Sequence, residues 1–357
     1  MSGALIQLVA TGVQDTYITN AEGMSLFKMR FTRYKNFAQS PKLLKEINGV
    51  TGDTIVIPVE SYGDLVNHMW IEGDDVLSAL SGATFSLYIG GQKVDSYDAT
   101  FSTDIWNIYM ADTYSKSQMI NNNISSSNNK FWPLHFFCCD NSQFIPLVAL
   151  QYHPVEIHIE LANDVTNFKT YANFVYLDTD ERTDIVNRPM EFMITQVQKV
   201  LSPLEPGRNN IDMTAFNHPI KSLYWGYKAK NRLLSEDKFS FAAADLYLNG
   251  TQVFQTMSST FFHSVQGYYH TPNGLINMNN SAGTPQYTRF YTYNFCIDAS
   301  SYKPTGTCNF SRLDNAKLVL HGVEKGTNQT ESDLEIYAVN YNILKIERGI
   351  SGVLFLN

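Results

Sequence analysis

Two stretches of this 357-residue chain say nearly the same thing: Leu87–Thr100 reads LYIGGQKVDSYDAT, and Leu246–Ser259 reads LYLNGTQVFQTMSS. Each is a β-rich run, a two-residue turn and a second run. Gly90-Gly91 and Asn249-Gly250 both tolerate positive φ at the two central positions, which a tight hairpin requires. The two hairpins lie about 160 residues apart, and other segments repeat at a similar interval. LQYHPVEIHIEL from Leu150 matches SRLDNAKLVLHG from Ser311 in pattern, and YANFVYLDTDER from Tyr171 resembles YAVNYNILKIERG from Tyr337. Three matches in one order, with a slowly growing interval, imply two copies of one all-β domain. The seam falls at DTDERTDIVNRPM (Asp178–Met190), a charged stretch closed by Pro189.

Composition points the same way. The chain is 44% hydrophobic and only 17% charged, with 21 Tyr and 22 Phe. Rings and β-branched side chains pack well on a half-buried pleated sheet, so this balance favours sheets over surface helices. Short strands are expected at Thr54–Glu60, Thr84–Gly91, Pro154–Leu161, Asn173–Thr179, Glu191–Val200, Ile220–Lys228, Ala243–Gly250, Ala316–Gly322 and Tyr341–Gly349. Thr100–Tyr114 reads as a short helix. Two polar, turn-rich stretches, Ser115–Lys130 and Tyr269–Tyr287, follow the hairpin of their own half and read as long displayed loops. Eight or so short strands per half, with long-range pairing, make a sandwich the default. The jelly roll is its eight-stranded form.

The net charge of −8 argues against a phosphate backbone as the main partner, which would need a basic stripe. FKMRFTRYKNFA (Phe27–Ala38) interleaves basic and aromatic residues, a pattern that can touch nucleic acid; the reading favoured by the negative net charge is strand alternation, with its rings on a sheet and its charges at an interface or seam. No basic n-region precedes the short apolar run of MSGALIQLVATGVQD, so no signal peptide is expected. No run of about 18 apolar residues predicts a membrane span. Cys138, Cys139, Cys296 and Cys308 contain no C-x-x-C pair. The adjacent Cys138-Cys139 would face opposite sides of a strand, and all four are expected as reduced thiols.

No catalytic signature is present: no G-x-S-x-G, P-loop, H-E-x-x-H or dinucleotide fingerprint. Glu156, His158 and Glu160 would share one strand face, but the strand needs a polar face and no second histidine pair completes a metal set. Asp178, Asp180 and Glu181 sit beside Arg182 and Arg188, an arrangement that reads as structural ion pairing. An enzyme would place a cleft at the seam and use Asp178, Glu181 or Glu191. His153-Pro154 reads as a turn, with His218-Pro219 as its analogue in the second half. No catalytic, cofactor or metal residue is therefore assigned. Asn-x-Ser/Thr triplets begin at Asn123, Asn249, Asn280, Asn309 and Asn328; Asn123, Asn280 and Asn328 are retained as candidate glycosylation sites.

Longer blocks carry a family resemblance. The opening GALIQLVATGVQDTYIT, FKMRFTRYKNFA and LYIGGQKVD are similar to the major capsid proteins of large double-stranded DNA viruses of algae and protists. So are FIPLVALQYHPVEIHIEL (Phe144–Leu161), YLDTDER (Tyr176–Arg182), FNHPIKSLYW (Phe216–Trp225), PTGTCNFSRLDNAKLVL (Pro304–Leu320) and YAVNYNILKIERGISGVLF (Tyr337–Phe355). The chain resembles chlorovirus and phycodnavirus members, from its first residues to its last. The resemblance implies two tandem eight-stranded antiparallel jelly rolls with short helices in loops. It places an arm at residues 1–25 inside the shell, and the two rolls at 26–186 and 187–357. It implies a structural protein without enzymatic activity, whose homotrimers have a pseudo-hexagonal outline and tile an icosahedral shell assembled in the host cytoplasm. The expected partners are further copies of itself, minor capsid and penton proteins, and an inner viral membrane near the arm. A minor capsid paralogue and a lectin-like glycan-binding protein of the virion surface are the alternatives.

Overall fold

The computed structural model describes residues 12–15, 33–50, 52–74, 76–113, 115–116, 131–139, 143–227, 239–271, 290–325 and 333–355. Met1–Asn36 is a compact unit by itself. Its described turn is Gly12–Asp15, where the Asp15 carboxylate accepts from the Gly12 N–H at 2.7 Å. The rest of the expected arm, and residues 27–32 of the basic-aromatic stretch, lie outside the described residues.

The first eight strands are β1 (Phe37–Val50), β2 (Thr54–Val59), β3 (Leu65–Gly73), β4 (Thr84–Ile89), β5 (Gln92–Asp98), β6 (Phe131–Pro133), β7 (Val155–Glu160) and β8 (Val165–Leu177). They form two antiparallel sheets, in the orders β1-β8-β3-β6 and β2-β7-β4-β5. The next eleven are β9 (Met190–Pro203), β10 (Gly207–Asp212), β11 (Pro219–Tyr227), β12 (Phe239–Ser240), β13 (Ala243–Leu248), β14 (Thr251–Ser258), β15 (Phe290–Asn294), β16 (Cys308–Asn309), β17 (Ala316–Lys325), β18 (Asp333–Glu347) and β19 (Ile350–Val353). Their two sheets run β10-β17-β13-β14 and β15-β11-β18, with β9 and β19 also on β18; β12 and β16 are short additions on β17 and β11. Leaving out β12, β16 and β19, the second set repeats the first strand for strand. The fold is a double jelly roll.

The repeat extends to irregularities. In β4–β5 the pairing is Leu87↔Asp95 and then Tyr88↔Lys93, so a bulge falls between the two pairs. In β13–β14 it is Leu246↔Phe254 and then Tyr247↔Gln252, each residue displaced by the same interval. A β-bulge adds an unpaired residue and extra twist, and it persists where the bend matters. Both tips have positive φ at their two central residues: 60° and 79° at Gly90 and Gly91, 48° and 77° at Asn249 and Gly250. Each tip amide also reaches the loop before the same strand of its roll. Gly90 N–H donates to Pro154 O at 2.8 Å, and Asn249 N–H donates to Asn315 O at 2.7 Å.

Period-two burial explains the strands that were legible. Ile55, Ile57 and Val59 of β2, and Val155, Ile157 and Ile159 of β7, point into the core while their neighbours face out. Phe85 stacks between Tyr97 and Trp132, with centroids 5.5 and 5.8 Å away. A buried aromatic of this kind contributes about 1.5–3 kcal/mol by burial, with more from ring geometry. Strands without alternation escaped the sequence reading. β1 is mostly exposed and carries Lys42, Lys45 and Glu46 at a sheet edge, where charge discourages pairing with other chains. β10, GRNNID, buries Asn209, whose side chain bonds twice to the Glu205 backbone (2.8 and 2.6 Å).

Several local expectations need correction. Thr179–Asn187, read as a charged linker, is a helix capped by Asp178, whose carboxylate accepts from Thr179 N–H at 2.8 Å. Cys138 and Cys139 lie in the helical turn Phe137–Cys139 rather than on a strand, with sulfurs 3.9 Å apart; all four cysteines are reduced. His218-Pro219 is not the counterpart of His153-Pro154. It leads into β11, whose equivalent is β3, whereas β17, the equivalent of β7, is preceded by Asp314-Asn315. Phe101–Met110 is helical as expected, but wound with wide π-type turns. Its counterpart, Phe261–Val265 continued by Gln266–His270, was not expected, and it makes Tyr269 and His270 helical where the loop reading had placed them in a loop.

Candidate functional site at the joint between the rolls

One hydrophobic cluster runs across both rolls. Phe101, Tyr109 and Phe136 of the first pack in the same core as Tyr224, Tyr337 and Val339 of the second. Tyr109, at the end of the wide helix, donates its hydroxyl to Phe290 O at 2.6 Å, and its ring lies 5.5 Å from that of Tyr224.

Polar contacts fix the register of this joint. Lys199 on β9 binds Asp98 at the end of β5 and Glu335 on β18, both at 2.6 Å. Tyr337 donates to Asp98 at 2.8 Å, and the Lys199 ammonium lies 5.0 Å from its ring centre. Asp98 also accepts from Phe101 N–H at 2.9 Å, so the same carboxylate starts the helix and holds the other roll. Burial alone would lower the Lys199 pKa, but Asp98 and Glu335 outweigh it and hold it above the ordinary lysine value. Burial, then the same two carboxylates, push the Tyr337 phenol well above the usual tyrosine range.

A second contact lies further along β5. Asp95, 5% exposed, accepts from Val197 N–H of the other roll at 2.9 Å and from Ser96 N–H at 2.8 Å. Burial outweighs these bonds and pushes its carboxyl up to about 7. Next to it, the Gln196 side chain donates to Val94 O.

The third contact is the hairpin tip. Gln92 Oε1 accepts from Val353 N–H at 3.1 Å, and His153 Nδ1 accepts from Ser351 N–H at 3.1 Å. That bond leaves the proton on His153 Nε2 when the ring is neutral. Tyr152 N–H donates to Gly349 O at 3.1 Å. Gly90 fits beneath His153: a Cβ there would lie 2.2 Å from Nδ1. At Gly250 a Cβ would meet open space.

The other sequence candidates fall elsewhere. His158 bonds to Glu156 at 3.0 Å and stacks on Tyr88 at 4.2 Å, while Glu160 is exposed. Among the described residues no three His, Cys, Asp or Glu side chains form a metal-holding group. Arg182 pairs with the nearly buried Asp64 at 2.8 Å, and Arg188 with Asp184 at 2.7 Å, so the ion pairing expected at the seam is present with different acids. Asp178 is spent on capping its helix. Asn123, Asn280 and Asn328 lie outside the described residues. Asn249 and Asn309 have structural work: Asn249 accepts from Asp314 and Asn315 N–H (2.9 and 3.2 Å), and Asn309 from Ser311 N–H (3.0 Å).

Comparison with known proteins places this architecture. A family model described as large eukaryotic DNA virus major capsid protein matches residues 181–352, and one for the major capsid protein N-terminus matches residues 82–184. The major capsid protein of Pyramimonas orientalis virus is 30% identical over 411 residues, spanning 100% of both chains. The chain belongs to the major capsid protein family of large eukaryotic DNA viruses. The major capsid protein of Paramecium bursaria Chlorella virus 1 is 28% identical over 460 residues, again across 100% of both chains. In fold, a chain of the quasi-atomic PBCV-1 capsid superposes with a TM-score of 0.77 at 24% identity, covering 93% of this chain and 100% of the other.

The family is structural, and this chain is a capsid component that assembles with itself. For a shell protein, the chemistry of the joint is mechanical. Charge, hydrogen bonds and packed rings make two sandwiches one block. Sequence reasoning missed Asp95, Asp98 and Lys199 because they sit on β-runs read for their apolar residues, and Glu335 because β18 starts well before the strand expected at Tyr341–Gly349. The local signal each left was a charge within a β-run.

Proposed function

We propose that three copies of this capsid protein close into a capsomer of pseudo-hexagonal outline, and that these capsomers tile an icosahedral shell. The observation carrying this reading is the strand-for-strand repeat: three chains with two alike rolls offer six alike corners. The rolls are taken as residues 26–186 and 187–357, which the meeting of the two family models at 181–184 supports. Residues 1–25 form an arm on the inner side of the shell, near neighbouring capsomers or an inner membrane. Minor capsid and penton proteins fill the remaining positions, and assembly takes place in the host cytoplasm. Glycans, where present, are carried at Asn123, Asn280 and Asn328.

Size-exclusion chromatography with light scattering tests the central claim. A stable trimer is expected, and a monomer at high concentration would overturn it. Deleting Ser2–Thr19 is expected to leave trimers intact and impair shell formation. Normal shell yield from that deletion would refute the role given to the arm.

A further inference from the structure

The joint between the rolls is not closed along its whole length. Beside the Asp95–Val197 contact lies a partly enclosed cavity of about 390 Å³. The first roll contributes Met69, Trp106, Met110 and His135, and the second contributes Val197, Lys221 and Val339. Protein interiors leave few voids larger than a water molecule, and this one has the volume of about a dozen. It falls within the range of small-molecule sites, which are mainly apolar with a few fixed polar groups.

Its polar groups differ in availability. Asp112 and Lys116 pair with each other at 2.8 Å. Asp95 is engaged by the Val197 and Ser96 amides. His135 is held by its ring stacked on Trp106 at 3.8 Å and by its backbone N–H on Tyr97 OH at 2.8 Å, yet its buried Nε2 has no hydrogen-bond partner. Burial, with a smaller effect from Lys116, pushes this imidazole down to about 3 and keeps it neutral. A buried polar atom left without a partner is costly, so an orphan on a residue that lines a roomy cavity points to an occupant. From the second roll comes Lys221, 1% exposed, which donates to Ser301 O at 3.3 Å and lies 5.7 Å from the Tyr341 ring centre. Met69 and Met110 are unbranched and polarizable, and can adapt to a flexible apolar chain.

We propose that this cavity binds one single-chain carboxylic acid lipid per protein chain. The acyl chain lies along Met69, Trp106 and Met110, and the carboxyl group takes the hydrogen bond that His135 Nε2 leaves unmade. Lys221 selects a carboxylate head over an ammonium one. The ligand then acts as a filler of the joint, and its binding stabilises the chain by mass action.

Calorimetric titration of the purified full chain with dodecanoate tests this. Saturable binding at one per chain is expected, with no binding of dodecyltrimethylammonium. His135→Phe keeps the stack on Trp106 and removes the nitrogen, and it should weaken dodecanoate binding about tenfold. Met110→Trp fills the cavity and should abolish binding. Both variants are first checked by melting; should Met110→Trp not fold, His135→Phe decides. Absence of saturable dodecanoate binding overturns the proposal. So does equal binding of the ammonium amphiphile, or unchanged affinity in a folded His135→Phe protein. Trimer mass is read separately, so failure here leaves the capsomer reading untouched.

Discussion

Replacing Lys199 by Met tests whether the Asp98–Lys199–Glu335 cluster bonds the two rolls together. The ammonium binds a carboxylate on each side at 2.6 Å, so the two acidic oxygens lie at most about 5 Å apart once the cation is gone. Two unit charges at that distance repel by about 3 kcal/mol at an effective dielectric constant of ~20. Methionine retains most of the apolar stem, so little packing is lost. For a unit of this size, ~3 kcal/mol corresponds to about 4–5 °C in melting temperature. The repulsion has a built-in control. Glu335→Gln in the Lys199→Met background removes one of the two charges and should restore most of the loss. Glu335→Gln alone removes only one of the two carboxylates that bind Lys199. The measurement is a double-mutant cycle by differential scanning calorimetry at neutral pH. Lys199→Met melting within about 1 °C of the parent would refute the assignment. So would a double variant no more stable than Lys199→Met.

Three further outcomes are expected. Gly90→Ala and Gly250→Ala both put a side chain at positive φ, costing about 1–2 kcal/mol each, but only the first also drives a Cβ into His153, so its denaturation midpoint should fall further; equal shifts would contradict the caged tip. Asp95 has a folded-state pKa raised from 3.8 to about 7, so its contribution is most favourable below the unfolded value and is lost as pH rises to about 7. Asp95→Asn should therefore gain stability over the parent at pH 8, by on the order of a few kcal/mol, and lose that advantage near pH 4; melting curves across pH check the sign. Arg182→Ala leaves the nearly buried Asp64 without its cation, so its chemical-unfolding midpoint should fall measurably, whereas the exposed Arg188→Ala should leave the midpoint almost unchanged.

The fold was legible where the duplication left two readable copies. Leu87–Thr100 and Leu246–Ser259 fixed the repeat because a tight hairpin allows few residues at its tip, and those residues differ little between copies. β7 and β8 showed the buried alternation that sequence reading detects, and β17 and β18 showed its counterpart, a buried apolar run. β1 and β10 did not, since one is a charged edge and the other turns an asparagine, Asn209, inward. The joint was the least legible part. Asp98, Lys199 and Glu335 lie far apart in sequence, and their meeting depends on how two finished sandwiches dock, which no local pattern encodes. His135 was equally silent, being one histidine between two apolar neighbours.

The difference between the two hairpin tips has a consequence for a closed ring of such chains. Gly90 is walled in by a ring from its own roll and tied to the far end of the chain, whereas Gly250 looks out on open space. The ancestral halves have thus parted in what they offer an outsider, although their frames still coincide. A neighbour touching a six-cornered particle built from three such chains would meet two kinds of corner in alternation. The particle would carry an orientation, and adjoining particles could be set in one sense and refused in another.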